Sequence, residues 1–329
     1  METAVESQKG QPEVFVLVPS YNHLPFIETC LRSIFAQKLQ PRKLLVIDDG
    51  SSDGSVAVIE RVLKDCPFEC EFIARENRGL CRTLNEGFAA ASSAEYFAYI
   101  GSDDLWLPEF LESRSGLLSR RKNAVLAYGH AFLMDENGAI FDSTANYVDS
   151  WGNYPDGDAR EMLLAGIAPV SSTVVYRRSA VEAVKWNESA RLEDYEMYLK
   201  LMTRGEFAFD PAVLSVWRHH RYNTSSDRIL MLRELLAAQE RNRDCLGVST
   251  EELRQIATRT KFRYARMELQ YGQKMSAIHL AKESWRGAES AAQLVRFCLR
   301  LFVPMSAVNL WRRIRKNYFR SKKINPKEI

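Results

Sequence analysis

Two adjacent carboxylates, Asp103 and Asp104, stand just beyond an apolar run that ends at Ile100, and Pro108 after them suits the first turn of a helix. Paired acids at the end of a strand are costly unless a positive group or water meets them. A divalent cation would make them a metal site for a diphosphate, and a basic side chain would form an ion pair with them. Water would leave a solvated turn with an aspartate helix cap. Taken alone, the solvated turn is the simpler interpretation, so the surrounding elements have to decide.

Buried strands and amphipathic helices alternate through the first hundred residues. Continuous apolar runs predict strands, and apolar residues at helical spacing predict helices. The predicted strands span 14–18, 44–47, 68–74 and 96–100, and the predicted helices span 24–37, 56–63 and 80–90. This alternation is typical of βαβ units with right-handed crossovers, which build an α/β fold with a mostly parallel sheet and helices on both faces.

Polar pairs follow three of the predicted strands. They are Ser20–Tyr21, Asp48–Asp49 and Asp103–Asp104. Because ligands of such sheets bind at the carboxyl ends of the strands, we expect the three pairs to converge on one rim although they are far apart in sequence.

The second part of the chain is less regular. Its predicted elements are strands over 124–134, 171–176 and 212–218, a helix over 192–202, a polar and aromatic loop over 141–157 that would cover a substrate, and long helices over 229–242, 250–271 and 274–285. We therefore expect a flexible N-terminal segment, 1–12, an α/β domain, 13–228, and a C-terminal helical region, 229–329.

The bulk composition fits a cytoplasmic globular protein. A chain of 329 residues with 46% hydrophobic and 26% charged residues can bury a sizeable core, and its net charge of +3 names no partner. The six cysteines form no CxxC pair and are expected to be reduced thiols. The polar N-terminus lacks the apolar core of a signal peptide, and no apolar run is long enough to span a bilayer.

The C-terminal tail has an unusual charge pattern. Residues 291–326 contain no acid, and their arginines and lysines alternate with aromatic and aliphatic residues. Nucleic acid, solvent and an anionic membrane surface are the alternatives for such a segment. Basic residues beside Trp311 and Tyr318 favour a helix that lies in the membrane interface, on the cytoplasmic face, rather than nucleic acid.

Seven segments resemble, in order, the signature motifs of family 2 glycosyltransferases, which have the glycosyltransferase A-type fold. The segments are Val18–Asn22, Val46–Asp53, Glu76–Leu80, Leu84–Gly87, Ser102–Asp104, Leu192–Leu199 and Trp217–Ser225. Each motif alone is weak, but seven in the family's order are specific. The resemblance covers roughly residues 13–226, and the last hundred residues carry no such signature.

The resemblance implies an inverting glycosyltransferase that depends on a divalent cation, Mn²⁺ or Mg²⁺. Its donor would be a nucleotide-diphosphate sugar, UDP-linked by expectation, and its acceptor a hydroxyl of a glycan or lipid-linked glycan in cell-surface polysaccharide biosynthesis. Two alternatives stay open. One is a non-catalytic module of the same fold that binds a sugar nucleotide or a glycan, and the other is transfer to polyprenyl phosphate.

The resemblance also assigns the metal site. Asp104 is the first choice as metal ligand, with Asp103 beside it directed toward the metal or the ribose. Gly101 and Ser102 occupy the stretch where many members carry a further acid, so this chain has one fewer potential ligand.

Besides Asp103 and His220, the same resemblance assigns four residues to the nucleotide sugar: Pro19, Tyr21, Asp49 and Arg78. Asp49 is implied to accept hydrogen bonds from the base or ribose, and its alternative is a structural aspartate in a turn. Tyr21 would stack on the base or else pack beneath the loop. Arg78 would meet the base or a phosphate or else remain an exposed loop residue.

The acceptor side depends on the acids at 193–194. The family pattern places the general base at Asp194, with Glu193 as an alternative or partner, although acids at a helix start also favour the helix dipole. One positioned carboxylate suffices to take the proton of the acceptor hydroxyl. His220 is implied to contact the diphosphate or the metal, and its alternative is a structural histidine. His219 is expected to point to the other side of its strand.

Overall fold

The computed structural model describes residues 12–91, 94–147, 151–304 and 306–307. The predicted flexible segment 1–12, apart from Pro12, and the basic tail after residue 307 lie outside the described residues.

The first hundred residues form the predicted βαβ units. Their elements are β1 (Val14–Ser20), α1 (Ile27–Phe35), β2 (Lys43–Asp48), α2 (Ser55–Leu63), β3 (Cys70–Ala74), α3 (Leu80–Ala90) and β4 (Tyr96–Tyr99). The strands pair in parallel in the order β3-β2-β1-β4. Their carboxyl ends therefore lie along one edge of the sheet, as the sequence predicts.

The second part of the chain extends this sheet with strands of both directions. Its elements are β5 (Leu105–Trp106), α4 (Phe110–Arg120), β6 (Ala124–Asp135), β7 (Ile140–Ser143), α5 (Arg160–Leu164), β8 (Val175–Arg177), α6 (Arg178–Glu182), α7 (Glu193–Leu201) and β9 (Glu206–His219). Within the described residues the sheet has nine strands in the order β3-β2-β1-β4-β8-β6-β9-β5, with β7 paired to β6. β8 pairs antiparallel with both β4 and β6, whereas β6 and β9 are parallel. The sheet is parallel in its first half and mixed overall.

The core lies on both faces of the sheet. β1 sends Val14, Val16 and Val18 into one apolar cluster and Phe15 and Leu17 into another, and all five are buried. This alternation places helices on both faces, which is why the strand sequence is apolar at every position.

Five helices follow β9 in the described part of the chain. They are α8 (Arg228–Arg241), α9 (Arg243–Leu246), α10 (Thr250–Gln270), α11 (Lys274–Ser284) and α12 (Ala291–Leu301). Phe262, Leu280 and Phe297 join α10, α11 and α12 in a small core of their own. Leu235 and Ala238 of α8 belong instead to the main core beside the sheet. Among the described residues, no helix combines the length and apolarity needed to cross a membrane.

Some local predictions differ from the structure. The predicted loop over 141–157 contains the end of β7 and two short 3-10 turns, because residues 140–143 extend the pairing of β6. The predicted strand over 171–176 begins with a 3-10 turn at Ser171–Thr173. α4 begins just after Pro108, where the sequence indicates a helix start, but its extent is not predicted, because its buried Arg114 and Ser115 interrupt the apolar pattern. Arg114 is fully buried and forms an ion pair with Asp210.

Gly87 in α3 permits close contact between that helix and β1. A Cβ at Gly87 would lie 2.4 Å from Leu17 Cδ2, and Leu17 is fully buried. We expect Gly87→Ala to destabilise the protein by about 1–3 kcal/mol through overpacking. Urea denaturation measures the change.

Gly116→Ala in α4 is the matched control. Its Cβ would meet only Arg120 Nη1 at 3.5 Å, so the higher helix propensity of alanine should leave stability unchanged or raise it by up to about 1 kcal/mol. Equal effects of the two substitutions would contradict the packing argument.

Candidate functional site

The loops after β1 and β2 are locked together at the rim of the sheet. Asp49 N donates to Ser20 O at 2.8 Å, and Asn22 N donates to Ser51 Oγ at 2.8 Å. Ser52 N donates in return to Asn22 Oδ1 at 2.9 Å. Asn22 has a φ of 53°, a left-handed conformation that asparagine tolerates better than most residues. The first two predicted polar pairs therefore meet at one rim.

Asp48 and Asp49 use their carboxylates mainly to hold loops. Asp48 accepts from Ser51 N at 2.8 Å and from Ser51 Oγ at 2.7 Å. Asp49 accepts from the amides of Arg78 and Gly79, both at 2.8 Å, and pairs with the Arg75 guanidinium. A carboxylate offers about four acceptor positions, so Asp49 has about one left for a ligand.

The other residues assigned to the nucleotide sugar differ in exposure. Tyr21 is 50% exposed, so it does not pack beneath its loop. Arg78 is exposed and contacts Glu86 at 3.2 Å. Pro19 is buried within β1, in register with Ile47.

Asp103 and Asp104, in the turn that follows β4, contact different partners. Asp104 is buried, and its Oδ1 accepts from Arg218 N at 2.9 Å. The Arg218 side chain returns to the turn, since its Nε donates to Asp103 O at 2.8 Å. Asp103 Oδ2 instead lies 2.9 Å from His220 Nε2, and Asp103 Oδ1 lies 3.9 Å from His23 Nδ1. The end of β9 is therefore fastened to the turn that follows β4.

His23, Asp103 and His220 form a cluster whose ligand atoms lie within 4.8 Å of one another. Among the described residues, this is the one group of three or more histidine, cysteine, aspartate or glutamate side chains whose ligand atoms lie within that distance. One carboxylate and two imidazoles are donors that a divalent transition metal accepts, so the residues fit the implied cation. The sequence prediction does not include His23. The signal available in the sequence was the position of His23 directly after Asn22, in a loop that is expected at the same rim.

Burial and charge divide the two acids. Burial, followed by the neighbouring charge of Asp103, raises the pKa of Asp104 well above its usual range. Burial also opposes ionisation of Asp103, but the His220 hydrogen bond and the nearby His23 outweigh it and lower the pKa of Asp103. The charge of the turn therefore resides on Asp103. The assignment of Asp104 as first metal ligand stays a prediction, and the geometry favours Asp103.

Glu193 and Asp194 are the first residues of α7 and are half-buried. The next residue fixes the helix start: Tyr195 OH donates to Leu163 O at 2.7 Å, and Gln239 Nε2 donates to Tyr195 OH at 2.8 Å. Tyr99 of β4 lies close enough to the two acids for their charges to raise the pKa of its phenol, after the larger effect of burial. The acid pair and the Asp103 turn therefore belong to the same strand end, that of β4.

Burial raises the pKa values of Glu193 and Asp194 by different amounts. Burial, followed by the charge of Asp194, raises the pKa of Glu193 to about 8. Burial raises the pKa of Asp194 to about 6. Near neutral pH the proton is held on Glu193 and the negative charge on Asp194, which suits Asp194 as a general base.

The histidines at the end of β9 diverge as the strand alternation predicts. The His220 side chain faces Asp103, whereas the His219 ring contacts Trp217 and Phe141, with centroid distances of 4.3 and 5.6 Å. The turn that carries Asp103 thus receives one of the two imidazoles.

The raised pKa values predict a pH-dependent gain in stability for Glu193→Gln. The folded protein holds the Glu193 proton more tightly than the unfolded chain, so this group's contribution to stability falls as pH rises from about 4.5 toward 8. The glutamine variant should match the wild type near pH 4 and exceed its unfolding free energy by at least about 1 kcal/mol near pH 8.5. Thermal unfolding across this pH range measures the difference.

Glu196→Gln on the same helix is the control with the opposite sign. Burial alone would raise the pKa of Glu196, but hydrogen bonds from Arg241 and Asn187 outweigh it and lower that pKa. The ionised carboxylate is therefore stabilising above its unfolded pKa, and this variant should lose stability near pH 8.5. A loss of stability near pH 8.5 in both variants would contradict the conclusion that burial disfavours the ionised form of Glu193.

Comparison with known proteins identifies a family. The sequence model described as "Glycosyl transferase family 2" matches residues 15–184, more than half of the chain. The putative teichuronic acid biosynthesis glycosyltransferase TuaG of Bacillus subtilis is 24% identical over 199 residues, covering 60% of this chain and 75% of TuaG. The chain spans about half the length of other curated relatives that it matches.

Two solved structures share the fold. The mannosyltransferase PcManGT from Pyrobaculum calidifontis, in complex with GDP-Man and Mn²⁺, superposes with a TM-score of 0.61 at 16% identity, covering 94% of this chain and 85% of that one. TarS residues 1–349 of S. aureus, in complex with UDP-GlcNAc, gives a TM-score of 0.56 at 16% identity, with coverages of 96% and 89%. At this identity the likeness concerns the fold, which is therefore of the glycosyltransferase A type.

Proposed function

The chain belongs to glycosyltransferase family 2, and on that premise we propose that it transfers a sugar from a nucleotide-diphosphate sugar to a hydroxyl of a glycan or lipid-linked acceptor, with inversion. One observation carries the proposal. The Asp103–His220 contact and the Glu193–Asp194 pair both adjoin the carboxyl end of β4. Direct displacement needs the sugar donor and the general base to be held close together, and residues that could hold each of them lie at this strand end.

The donor and the pathway are inferred from similar proteins. PcManGT and TarS were solved with GDP-Man and UDP-GlcNAc, both of which are nucleotide-diphosphate sugars. We propose a UDP-linked donor and, because TuaG is named for teichuronic acid biosynthesis, a role in cell-surface polysaccharide synthesis. Tyr21, Asp49 and Arg78 border the proposed nucleotide site from the loops after β1, β2 and β3.

In the proposed mechanism Asp194 accepts the proton of the acceptor hydroxyl as its oxygen attacks the anomeric carbon. Protonated Glu193 leaves the charge of the acid pair on Asp194. A bound divalent cation, Mn²⁺ or Mg²⁺, would neutralise the negative charge that develops on the departing diphosphate. Asp103 would hold this cation, and the buried Asp104 would lie behind Asp103 in the turn.

Asp194→Asn tests both the mechanism and the non-catalytic alternative. We expect donor binding to persist and transfer or donor hydrolysis to fall by about 10²–10⁴-fold, because the general base is lost. A thermal-shift panel of UDP- and GDP-sugars with and without Mn²⁺ measures binding, and release of the nucleoside diphosphate measures turnover. In the wild type, turnover should rise with pH through about 6 as Asp194 loses its proton.

Asp244→Asn is the control for this variant, since its side chain is 93% exposed in the helical region. It should retain wild-type turnover. Undiminished turnover in Asp194→Asn would reject the base assignment. Donor binding without turnover in the wild type, over all donors and with glycan acceptors supplied, would favour the non-catalytic module.

We also propose that the C-terminal helical region binds an anionic membrane surface. Val295, Leu299 and Phe302 are 57, 64 and 84% exposed and share one face at helical spacing. Arg296 and Arg300 stand beside them, and Phe297 on the other face anchors α12 to the small core. An exposed apolar stripe flanked by cations suits the headgroup region of a bilayer.

The double variant Leu299→Ser, Phe302→Ser should bind vesicles of phosphatidylglycerol and phosphatidylcholine at least about tenfold more weakly, because two apolar side chains no longer enter the interface. Co-sedimentation at low and high salt measures this. Ile73→Ser in β3, an exposed apolar position on the sheet, should bind like the wild type. Binding that is unchanged in the double variant, or insensitive to salt, would exclude this surface.

A further inference from the structure

We propose that His23 Nδ1 and Asp103 Oδ1 together bind the divalent cation, that His220 positions Asp103 rather than binding the metal, and that the imidazole ligand makes the site prefer Mn²⁺ over Mg²⁺. The inference rests on the proposed function and adds a ligand that lies outside every family motif found in the sequence. It also accounts for the acid that is missing at positions 101 and 102.

The hydrogen bonds of His220 assign it a positioning role. Tyr222 N donates to His220 Nδ1 at 3.2 Å, so the neutral ring carries its proton on Nε2. That Nε2–H faces Asp103 Oδ2 at 2.9 Å and occupies this carboxylate oxygen. The ring is also stacked on Phe26, with a centroid distance of 4.9 Å, and its side chain is 1% exposed. His220 therefore holds one oxygen of Asp103 and leaves the other free.

His23 lies on the open side of the cluster. Its Nδ1 is 3.9 Å from Asp103 Oδ1, and its side chain is 22% exposed. Its neighbours on both sides are pinned, since Asn22 is bound to Ser51 and Leu24 N donates to Asp53 Oδ2 at 2.8 Å. The Ser102 hydroxyl, 2.7 Å from His23 Nδ1, can rotate when another group takes that nitrogen. A nitrogen of a partly exposed imidazole and a carboxylate oxygen that His220 does not occupy thus face each other from fixed backbones.

Gly101 explains why Asp103 can turn toward His23. A Cβ at position 101 would lie 2.7 Å from Asp103 Oδ1, closer than such atoms approach. An acid at this position would therefore displace the Asp103 carboxylate from its present orientation. In this chain the glycine takes the place of an acidic ligand, and His23 supplies the ligand from another loop.

The change of ligand type sets metal preference. Mg²⁺ favours oxygen ligands and keeps much of its water, whereas imidazole suits first-row transition metals. A site that combines one imidazole with one carboxylate oxygen should therefore discriminate against Mg²⁺ more than an all-carboxylate site does.

The test measures metal binding to the full chain without donor, using the electron paramagnetic resonance signal of free Mn²⁺ and displacement by Mg²⁺. The wild type should bind Mn²⁺ at least about tenfold more tightly than Mg²⁺. His23→Asn should weaken Mn²⁺ binding at least about tenfold while changing Mg²⁺ binding by less than about threefold. His220→Gln, which keeps an N–H donor for Asp103, should weaken Mn²⁺ binding less than His23→Asn does.

His279→Asn is the matched control, because His279 is 77% exposed on α11 and should not affect the metal. Circular dichroism without metal checks that each variant is folded. Gly101→Ala gives an independent route, since it displaces Asp103 and should weaken Mn²⁺ binding even if His23→Asn fails to fold.

Three results would overturn the proposal: no Mn²⁺ preference in the wild type, a His23→Asn variant that binds Mn²⁺ like His279→Asn, or a larger loss in His220→Gln than in His23→Asn. The outcome is separable from the proposed function. Turnover lost in Asp194→Asn alongside normal Mn²⁺ binding in His23→Asn would keep the transferase and reject the ligand. Mn²⁺ selectivity without turnover of any donor would keep the ligand and reject the transferase.

Discussion

The site depends on the buried contact between Arg218 and the turn after β4. The Arg218 amide donates to the Asp104 carboxylate, and its side chain donates to the Asp103 carbonyl. Its guanidinium also lies over the Phe26 ring at 4.8 Å. This one residue joins the parallel half of the sheet, the first helix and the end of β9. Because an unpaired buried acid is costly, Asp104 holds β9 in the register that brings His220 to Asp103.

The two acid pairs show one physical principle used in opposite ways. At 103–104, the hydrogen bond from His220 and the nearby His23 keep charge on the outer acid, Asp103, while the inner acid, Asp104, serves as a structural acceptor. At 193–194, burial favours a proton on the first acid, which leaves the second to carry charge. In each pair the environment, rather than the residue type, assigns the roles. Two aspartates in similar sequence contexts can therefore do different work.

The sequence predicted what depends on local pattern. The all-apolar run of β1 predicted a strand buried on both faces, and the strand order predicted that Ser20, Asp49 and Asp103 would share a rim. It indicated the start of α4 at Pro108 but not the extent of that helix, whose buried Arg114 is compensated by Asp210 from a strand far away in sequence. It did not predict the approach of His23 to Asp103 either, because that approach arises only where the loop after β1 meets the turn after β4. Contacts of this kind are set by tertiary packing and leave no periodic signal.

The packing of α8 against the sheet has a consequence for cooperativity. Leu235 and Ala238 share the main core, Gln239 holds the Tyr195 hydroxyl, and Arg241 pairs with Glu196 at 2.6 Å. The start of α7, which carries Asp194, is thus fixed from the C-terminal helical region. In thermodynamic terms the helical region and the sheet are linked, so a fluctuation that loosens α8 also loosens Asp194. Residue 228 separates two regions of the sequence, but it does not separate two independent units of stability.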